Sequence, residues 1–471
     1  MDGERTYHFV GVGGSGMSPL AQIIIGLGHK VTGSDIRYSP HLADLEVSGA
    51  KVYSGHDPEV ACQADVVVVS AAVPHDDPEV AAARAAGIPV ISRAQLLGQL
   101  FEDRRGIGVT GTHGKTTTSG MLATIFMEAG LDPTVAVGAG LTWAPSGGRA
   151  GSGEFMIVEA DEAYGSFLTL RPEVAVVTNI DDDHRDYYGS FENIMSAFIQ
   201  YLRQVKPGGR AVVCADDPNV LRAAEGAECD VVLYGQAGGD VELDYAAADL
   251  RLNGMGSRFR VLYRGHDMGE IYLAVPGVHN IVNATAAYAV AHGLGIDHQH
   301  IRAGLRDYVG AERRCQVLYR AGGLTIVDDY AHHPAEIRAT LAALRAAAGG
   351  RLVVVFQPQR YTRTKLLFDD FVKSFGLADV VAVTEVYHEG TGESPIPGVS
   401  GMRLAEAISE HEGKSVRYLA DRFEALEFLR SQARPGDTLV TMGAGDIYRA
   451  ARSLAEELKR DAAQHMNGGG C

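Results

Sequence analysis

Basic residues are in short supply in this 471-residue chain, where 42 Lys and Arg stand against 59 Asp and Glu for a formal net charge of -17. A protein that holds nucleic acid needs a basic surface to release counterions from the phosphate backbone, so that class of partner is excluded. Any anion site must be local, built from backbone N–H groups, a few cations and Mg²⁺. Cysteine is scarce too. The five, Cys62, Cys214, Cys229, Cys315 and Cys471, are odd in number and widely spaced, with no CxxC pair. That pattern argues against a disulfide framework or a zinc site and for reduced thiols. No run of eighteen apolar residues occurs, and MDGERT passes straight into the apolar YHFV without a charged-then-apolar leader. The chain is therefore expected to stay in the cytoplasm, without membrane insertion.

What is present is a globular composition, 46% hydrophobic and 21% charged, in a chain long enough for about three domains. Apolar runs of strand length alternate with helical patterns almost throughout, the mark of parallel sheets covered by helices, so the fold class is α/β. Breaks fall in the polar stretch Glu102 to Arg105 and near Val309 to Arg314. They divide the chain into residues 1–103, 104–311 and 312–471. The last segment restarts as LTIVDDY, PAEIRATLAALRAA, RLVVVFQP, DVVAVTEV and DTLVTMGAG, a further doubly wound unit.

Two glycine-rich loops carry the chemistry. After strand YHFV comes Gly11-Val12-Gly13-Gly14-Ser15-Gly16, then a helix, then a strand ending in Asp35. The glycines let the backbone approach a pyrophosphate at a helix N-terminus, and an acid about twenty residues on can accept from ribose hydroxyls. This makes the first domain Rossmann-like, but the motif sees a diphosphate and leaves NAD and other nucleotides open. The second loop, Gly111-Thr112-His113-Gly114-Lys115-Thr116-Thr117, also joins a strand to a helix. It departs from the strict P-loop spacing, with Val109 where the first glycine should be. Even so, its N–H groups converge, Lys115 reaches β- and γ-phosphate oxygens, and Thr116 offers a hydroxyl to Mg²⁺. Downstream, FMIVEADE delivers Glu159, Asp161 and Glu162, and VAVVTNI delivers Asp181, Asp182, Asp183 and His184, all past strand ends where ligands of parallel sheets gather.

The succession GVGGSGMS, TGTHGKTTT, EADE, TNIDDDH, PGVHNIVNA, ERR, DDYAHHP and FQPQRYTRT resembles the Mur ligases, and among them most the alanine-adding members. The resemblance implies a UDP-sugar-binding domain, a central P-loop-type ATPase domain and a Rossmann-like C-terminal domain that brings the amino acid. It implies ATP and Mg²⁺ as cofactors and UDP-N-acetylmuramate and L-alanine as substrates, joined through an acyl phosphate. It places Gly13, Gly14, Ser15, Gly16, Asp35 and Ser70 on the UDP sugar. Gly111, Thr112, His113, Gly114, Lys115, Thr116 and Thr117 fall on the phosphates, and Thr116, Glu159 and His184 on the metal. His279, Asn280 and Asn283 come near nucleotide and metal, Arg313 or Arg314 on phosphate, and Asp329 on the nucleotide. Tyr330, His332, Arg360 and Arg363 surround the amino acid, whose carboxylate suits a pair of guanidinium forks. His332 is also the candidate base for the amine, whereas His333 has the alternative of capping the helix at Pro334.

Two blocks depart from the alanine-adding pattern: Ala163-Tyr164 follows EADE in place of Ser-Asp, and Gln359 stands in QPQRY. Both bear on substrate detail, so a related ligase adding another amino acid or a peptide stays as the alternative. No lysine lies between Lys115 and Lys206, which excludes the carbamylated lysine that other Mur ligases place there. An NAD-dependent oxidoreductase would leave GKTT unexplained.

Overall fold

The computed structural model describes residues 3–14, 16–36, 40–74, 76–389 and 391–468, so Ser15 of the first loop lies outside the described residues. Three sheets organise the chain. The first orders its strands Lys51–Ser54, Lys30–Asp35, Thr6–Val10, Val66–Val69 and Val90–Ser92, all parallel. Chain order reverses between Thr6–Val10 and Val66–Val69, and a ligand crevice forms beyond the carboxyl ends of strands at such a point. Gly11 and Ser70 follow those two ends, with Ser70 N–H bonded to Val10 O at 3.2 Å.

The second sheet has ten strands. Its parallel heart runs Asp230–Gln236, Arg210–Cys214, Val174–Val177, Arg105–Thr110, Phe155–Glu159 and Thr134–Ala136. Gly148–Arg149 adds antiparallel at one edge. Tyr245–Asn253, Gly256–Tyr263 and His266–Leu273 extend the other. Val174 to Val177 are all buried, as expected of a parallel strand covered on both faces.

One hydrophobic cluster serves both sheets, joining Phe9, Leu20 and Phe101 to Met156, Phe167 and Tyr201. The helix Met17–Gly26 also lies tightly on the second sheet, since a Cβ at Gly148 would fall 2.0 Å from Pro19 O. The two sheets accordingly form one compact unit, residues 1–249, 259–273 and 280–311; residues 250–258, 274–279 and 312–471 form another.

The third sheet orders Gln316–Ala321, Leu324–Asp329, Thr438–Met442, Leu352–Phe356, Val380–Thr384 and Val416–Leu419, with the first pair antiparallel and the rest parallel. Its strands bury both faces by alternation. Val327, Val354 and Phe356 pack with Ile337 and Leu341 on one side. Ile326, Val353 and Val355 pack with Leu429 and Leu454 on the other. The expected three-domain α/β architecture is thus present, and among the described residues no helix is long and apolar enough to cross a membrane.

Candidate functional site

The second glycine-rich loop leaves the central strand Arg105–Thr110 and enters the helix Lys115–Glu128. Gly111 and Gly114 adopt φ of 134° and 84°, conformations that side chains resist. A Cβ at Gly114 would meet Asn283 Oδ1 at 2.7 Å, which places Asn283 against the loop. The neighbouring strand end clamps the turn from the other side. Thr112 N–H donates to Asn179 O at 3.0 Å, and His113 N–H donates to Asn179 Oδ1 at 2.8 Å. Asn179 Nδ2 and Thr178 Oγ1 donate in return to His113 O at 2.9 and 2.6 Å.

Inside this clamp Lys115 Nζ donates to Gly111 O at 2.6 Å and Thr112 O at 3.1 Å and pairs with Glu162 Oε2 at 2.7 Å. Burial works against the ammonium, but Glu162, Asp161 and Glu159 outweigh it and raise its pKa, so Lys115 stays charged. Thr116 Oγ1 donates to Glu159 Oε1 at 2.8 Å, and Glu159 Oε2 accepts from Gly138 N–H at 2.7 Å. His184, at a left-handed φ of 59°, brings Nε2 to 3.8 Å from Glu162 Oε1. Glu162 thus links Lys115 to His184, while the next residue of the helix, Thr116, is tied to Glu159. Glu162 was visible in EADE without a role. Asn179, inside TNIDDDH, had no signal beyond that block.

The first loop is built differently. Gly11 and Val12 donate to Ser34 O at 2.9 and 3.0 Å, and Gly13 N–H donates to Asp35 Oδ2 at 2.9 Å. Asp35 thus holds the loop itself. Behind them Ser34 Oγ donates to Glu79 Oε2 at 2.5 Å, while Glu79 Oε1 lies 3.3 Å from His8 Nε2 and accepts from Asp57 N–H at 2.8 Å. Arg93, for which the sequence held no signal, packs against the loop; a Cβ at Gly16 would lie 2.6 Å from its NH1.

A cavity of about 560 Å³ connects the two loops' surroundings. Gly14, Gly16, Ser70 and Arg93 line it together with Gly138, Glu159, Asp161 and Tyr164. A ligand seated on the first loop can therefore extend to the carboxylate that holds Thr116.

The remaining expected residues lie in the other compact unit, apart from Thr117, buried in the helix Lys115–Glu128, and Asn280, buried in the helix Val278–Gly293. Arg313 donates through Nε to Asp328 Oδ2 at 3.1 Å, and its guanidinium stacks over Tyr330 and Tyr448 at 4.9 and 4.5 Å. Arg314 lies 5.2 Å from the Tyr330 ring centre and 3.5 Å from Glu336 Oε1. Asp329 is buried, accepting from Cys315 N–H and Ala331 N–H at 2.7 Å each; burial raises its pKa. His279 is half-buried, and desolvation and then Arg314 lower its pKa to about 4, so it acts as a neutral ring. His332 Nδ1 lies 3.1 Å from Tyr330 O and 3.3 Å from Glu336 Oε2. His333 caps the helix Pro334–Ala347 in a reciprocal pair with Glu336, the structural role left open for it.

Arg360 sits at φ 69° and donates to Glu393 Oε1 at 2.8 Å, a partner the sequence did not suggest. Arg363 donates to Gln359 Oε1 at 3.1 Å, so the departure at 359 bears directly on one member of the arginine pair.

Three family models match in order: the Mur ligase family catalytic domain over residues 6–105, the Mur ligase middle domain over 109–291, and the Mur ligase glutamate ligase domain over 313–445. The UDP-N-acetylmuramate–L-alanine ligase of Pelotomaculum thermopropionicum is 44% identical over 461 residues, 98% of this chain and 99% of that protein. The enzyme of the same name from Geobacter sp. strain M21 is 44% identical over 96% of this chain and 97% of its own length. Among solved structures, the UDP-N-acetylmuramate-alanine ligase of Thermotoga maritima superimposes with a TM-score of 0.83 at 27% identity, covering 97% of this chain and all of that one.

Proposed function

The chain belongs to the Mur ligase family, and from that premise we propose that it joins L-alanine to the carboxylate of UDP-N-acetylmuramate at the expense of ATP, in peptidoglycan precursor synthesis. The observation that carries this reading is the cavity that runs from the glycine loop at Gly14 and Gly16 to Glu159. A nucleotide sugar whose diphosphate sits at one end presents its acid at the other, beside the loop that holds Lys115. Residues 1–103, 104–311 and 312–471 then divide the work among UDP sugar, ATP and amino acid.

The residues present fit a Mg²⁺–nucleotide. Gly111 and Gly114 leave a cradle that a Cβ would fill, Thr116 and Glu159 offer the hard oxygens that Mg²⁺ prefers, and His184 would offer a ring nitrogen. When bound, the metal neutralises charge on the transferring phosphoryl group. Lys115 and the loop N–H groups orient the γ-phosphate towards the sugar's carboxylate, and they stabilise the charge that spreads over its oxygens. Attack of that carboxylate on the γ-phosphorus expels ADP and gives an acyl phosphate, whose phosphate the alanine amine then displaces as it forms the amide. Arg360 and Arg363 hold the amino acid's carboxylate, and His332 is the candidate base for the amine proton.

The test is phosphate release from ATP with UDP-N-acetylmuramate and each amino acid in turn. Release that needs both substrates and is fastest with L-alanine is the expected result. Release with a peptide and not with L-alanine would move the chain to the peptide-adding ligases, and release independent of the UDP sugar would overturn the reading.

A further inference from the structure

Tyr164 occupies a position that the fold alone does not explain. Its backbone is left-handed at φ 56° and is followed by Gly165 at φ 65°, a conformation that a residue with a Cβ adopts only under constraint. Burial of the ring does not compensate, because Tyr164 is 61% exposed. The turn instead mounts the ring on a stack. Tyr164 meets Tyr187 edge to face, with centroids 5.6 Å apart and planes at 75°. Tyr187 meets Tyr188 in the same way at 4.9 Å and 86°, and Tyr188 OH donates to Glu162 O at 2.6 Å. Tyr187 OH also crowds Gly165, where a Cβ would stand 3.3 Å away, so the pair Tyr164-Gly165 is held in one shape.

Tyr164 lines the cavity between the loops, on a segment that crosses it. Ala163 to Thr169 starts two residues after Asp161 and ends where Thr169 Oγ1 donates to Ala94 O at 3.3 Å, next to Arg93 at the first loop. The segment thus spans from the acidic end of the cavity to the diphosphate end. In a nucleotide sugar that carries its acid on the sugar, the pyranose ring lies between diphosphate and carboxylate. A pyranose presents a face of C–H bonds, and an aromatic face attracts those hydrogens while removing apolar surface from water.

We propose that Tyr164 is the platform on which the amino-sugar ring of the substrate stacks, which makes it a specificity-determining residue for sugar against bare nucleotide. The inference rests on the ligase reading above and adds to it the residue that recognises the sugar.

The experiment is calorimetric titration of the full chain and of Y164F, Y164A and Y164G with UDP, UDP-N-acetylglucosamine and UDP-N-acetylmuramate. Y164A and Y164G are expected to weaken both UDP sugars by about 3- to 10-fold, the worth of one aromatic contact, and to leave UDP within about twofold. Y164F keeps the ring and should bind the sugars like the native chain. Glycine relieves the left-handed backbone, so a loss shared by Y164A and Y164G cannot come from strain. In steady-state assays the KM for the UDP sugar should rise with the binding loss while the KM for ATP holds. An equal loss for UDP and for the sugars, or no loss for any of the three, overturns the platform. Failure of the native chain to bind either UDP sugar overturns the ligase reading itself, a separate outcome.

Discussion

The loop at Gly11 to Gly16 and the loop at Gly111 to Lys115 both leave a central parallel strand and enter a helix, yet the first packs against Arg93 and the second against Glu159 and Glu162. Their supports differ as well. The first is braced through Ser34 by the buried carboxylate of Glu79, the second by the neutral amide and hydroxyl of Asn179 and Thr178. One backbone device therefore serves two electrostatic settings. A cation beside the loop suits a diphosphate bound without metal, and carboxylates beside the loop suit phosphates that arrive with Mg²⁺. Glycine content alone does not distinguish the two; the side chains brought in from other strands do.

The largest effect should come from removing the charge that only the second loop carries. Lys115→Ala is expected to lower kcat/KM by at least about a hundredfold, as on loss of a preorganised charge contact. UDP binding at the first loop should stay within a factor of two. It also strips Glu162 of its ion pair, so K115A/E162Q, which removes both buried charges, should recover thermal stability but not activity. A folded K115A with near-native turnover would erase the distinction between the loops.

Glu159→Gln comes next. The amide still offers Thr116 an acceptor but not a negative charge, so kcat/KM should fall by at least about tenfold and the Mg²⁺ needed for half-maximal rate should rise. An unchanged Mg²⁺ requirement would separate Glu159 from the metal.

Paired glycine substitutions sharpen the comparison further. Gly114→Ala forces a Cβ into a left-handed turn at φ 84°, 2.7 Å from Asn283 Oδ1, and should cost about 1–3 kcal/mol of stability and raise the KM for ATP. Gly16 sits at φ -100°, and the atoms nearest its added Cβ all belong to the long side chain of Arg93. Gly16→Ala should therefore leave thermal stability and the KM for ATP near native and raise the KM for the UDP sugar. Equal losses of stability in the two variants would contradict this.

Both loops were legible in the sequence because their signal is local: glycines and a helix start within seven residues, with a lysine added in the second. The buried strands were legible because Val66–Val69 and Val174–Val177 are continuous apolar runs. Tyr245–Asn253, Gly256–Tyr263 and His266–Leu273 went unnamed; they alternate buried and exposed positions at a sheet edge and interrupt the helix–strand rhythm. Arg93, Asn179 and Glu393 were not legible as site residues either. Arg93 meets Gly16 and Glu393 meets Arg360 only after folding, and nothing in their own neighbourhoods marks them.

The smallest catalytic effect and the most specific test concern what lies behind the first loop. Burial pushes the Glu79 carboxyl up, but bonds from His8, Ser34 and the Asp57 N–H outweigh it and bring its pKa down to about 2, from an ordinary 4.5. A carboxyl held below its unfolded value stabilises the fold above the unfolded pKa and loses that contribution as pH falls towards the folded one. Glu79→Gln should therefore be less stable than the native chain at pH 7 by on the order of 3 kcal/mol in urea unfolding. The gap should begin to close below about pH 4.5, with roughly half gone by pH 3. Ser34 O is the acceptor for both Gly11 and Val12, so the variant should also raise the KM for the UDP sugar while the KM for ATP, read by the neutral-backed loop, stays put. A stability gap that is flat from pH 7 to pH 3 would show that Glu79 does not act through its charge, and a parallel rise in both KM values would show that the two loops share their support.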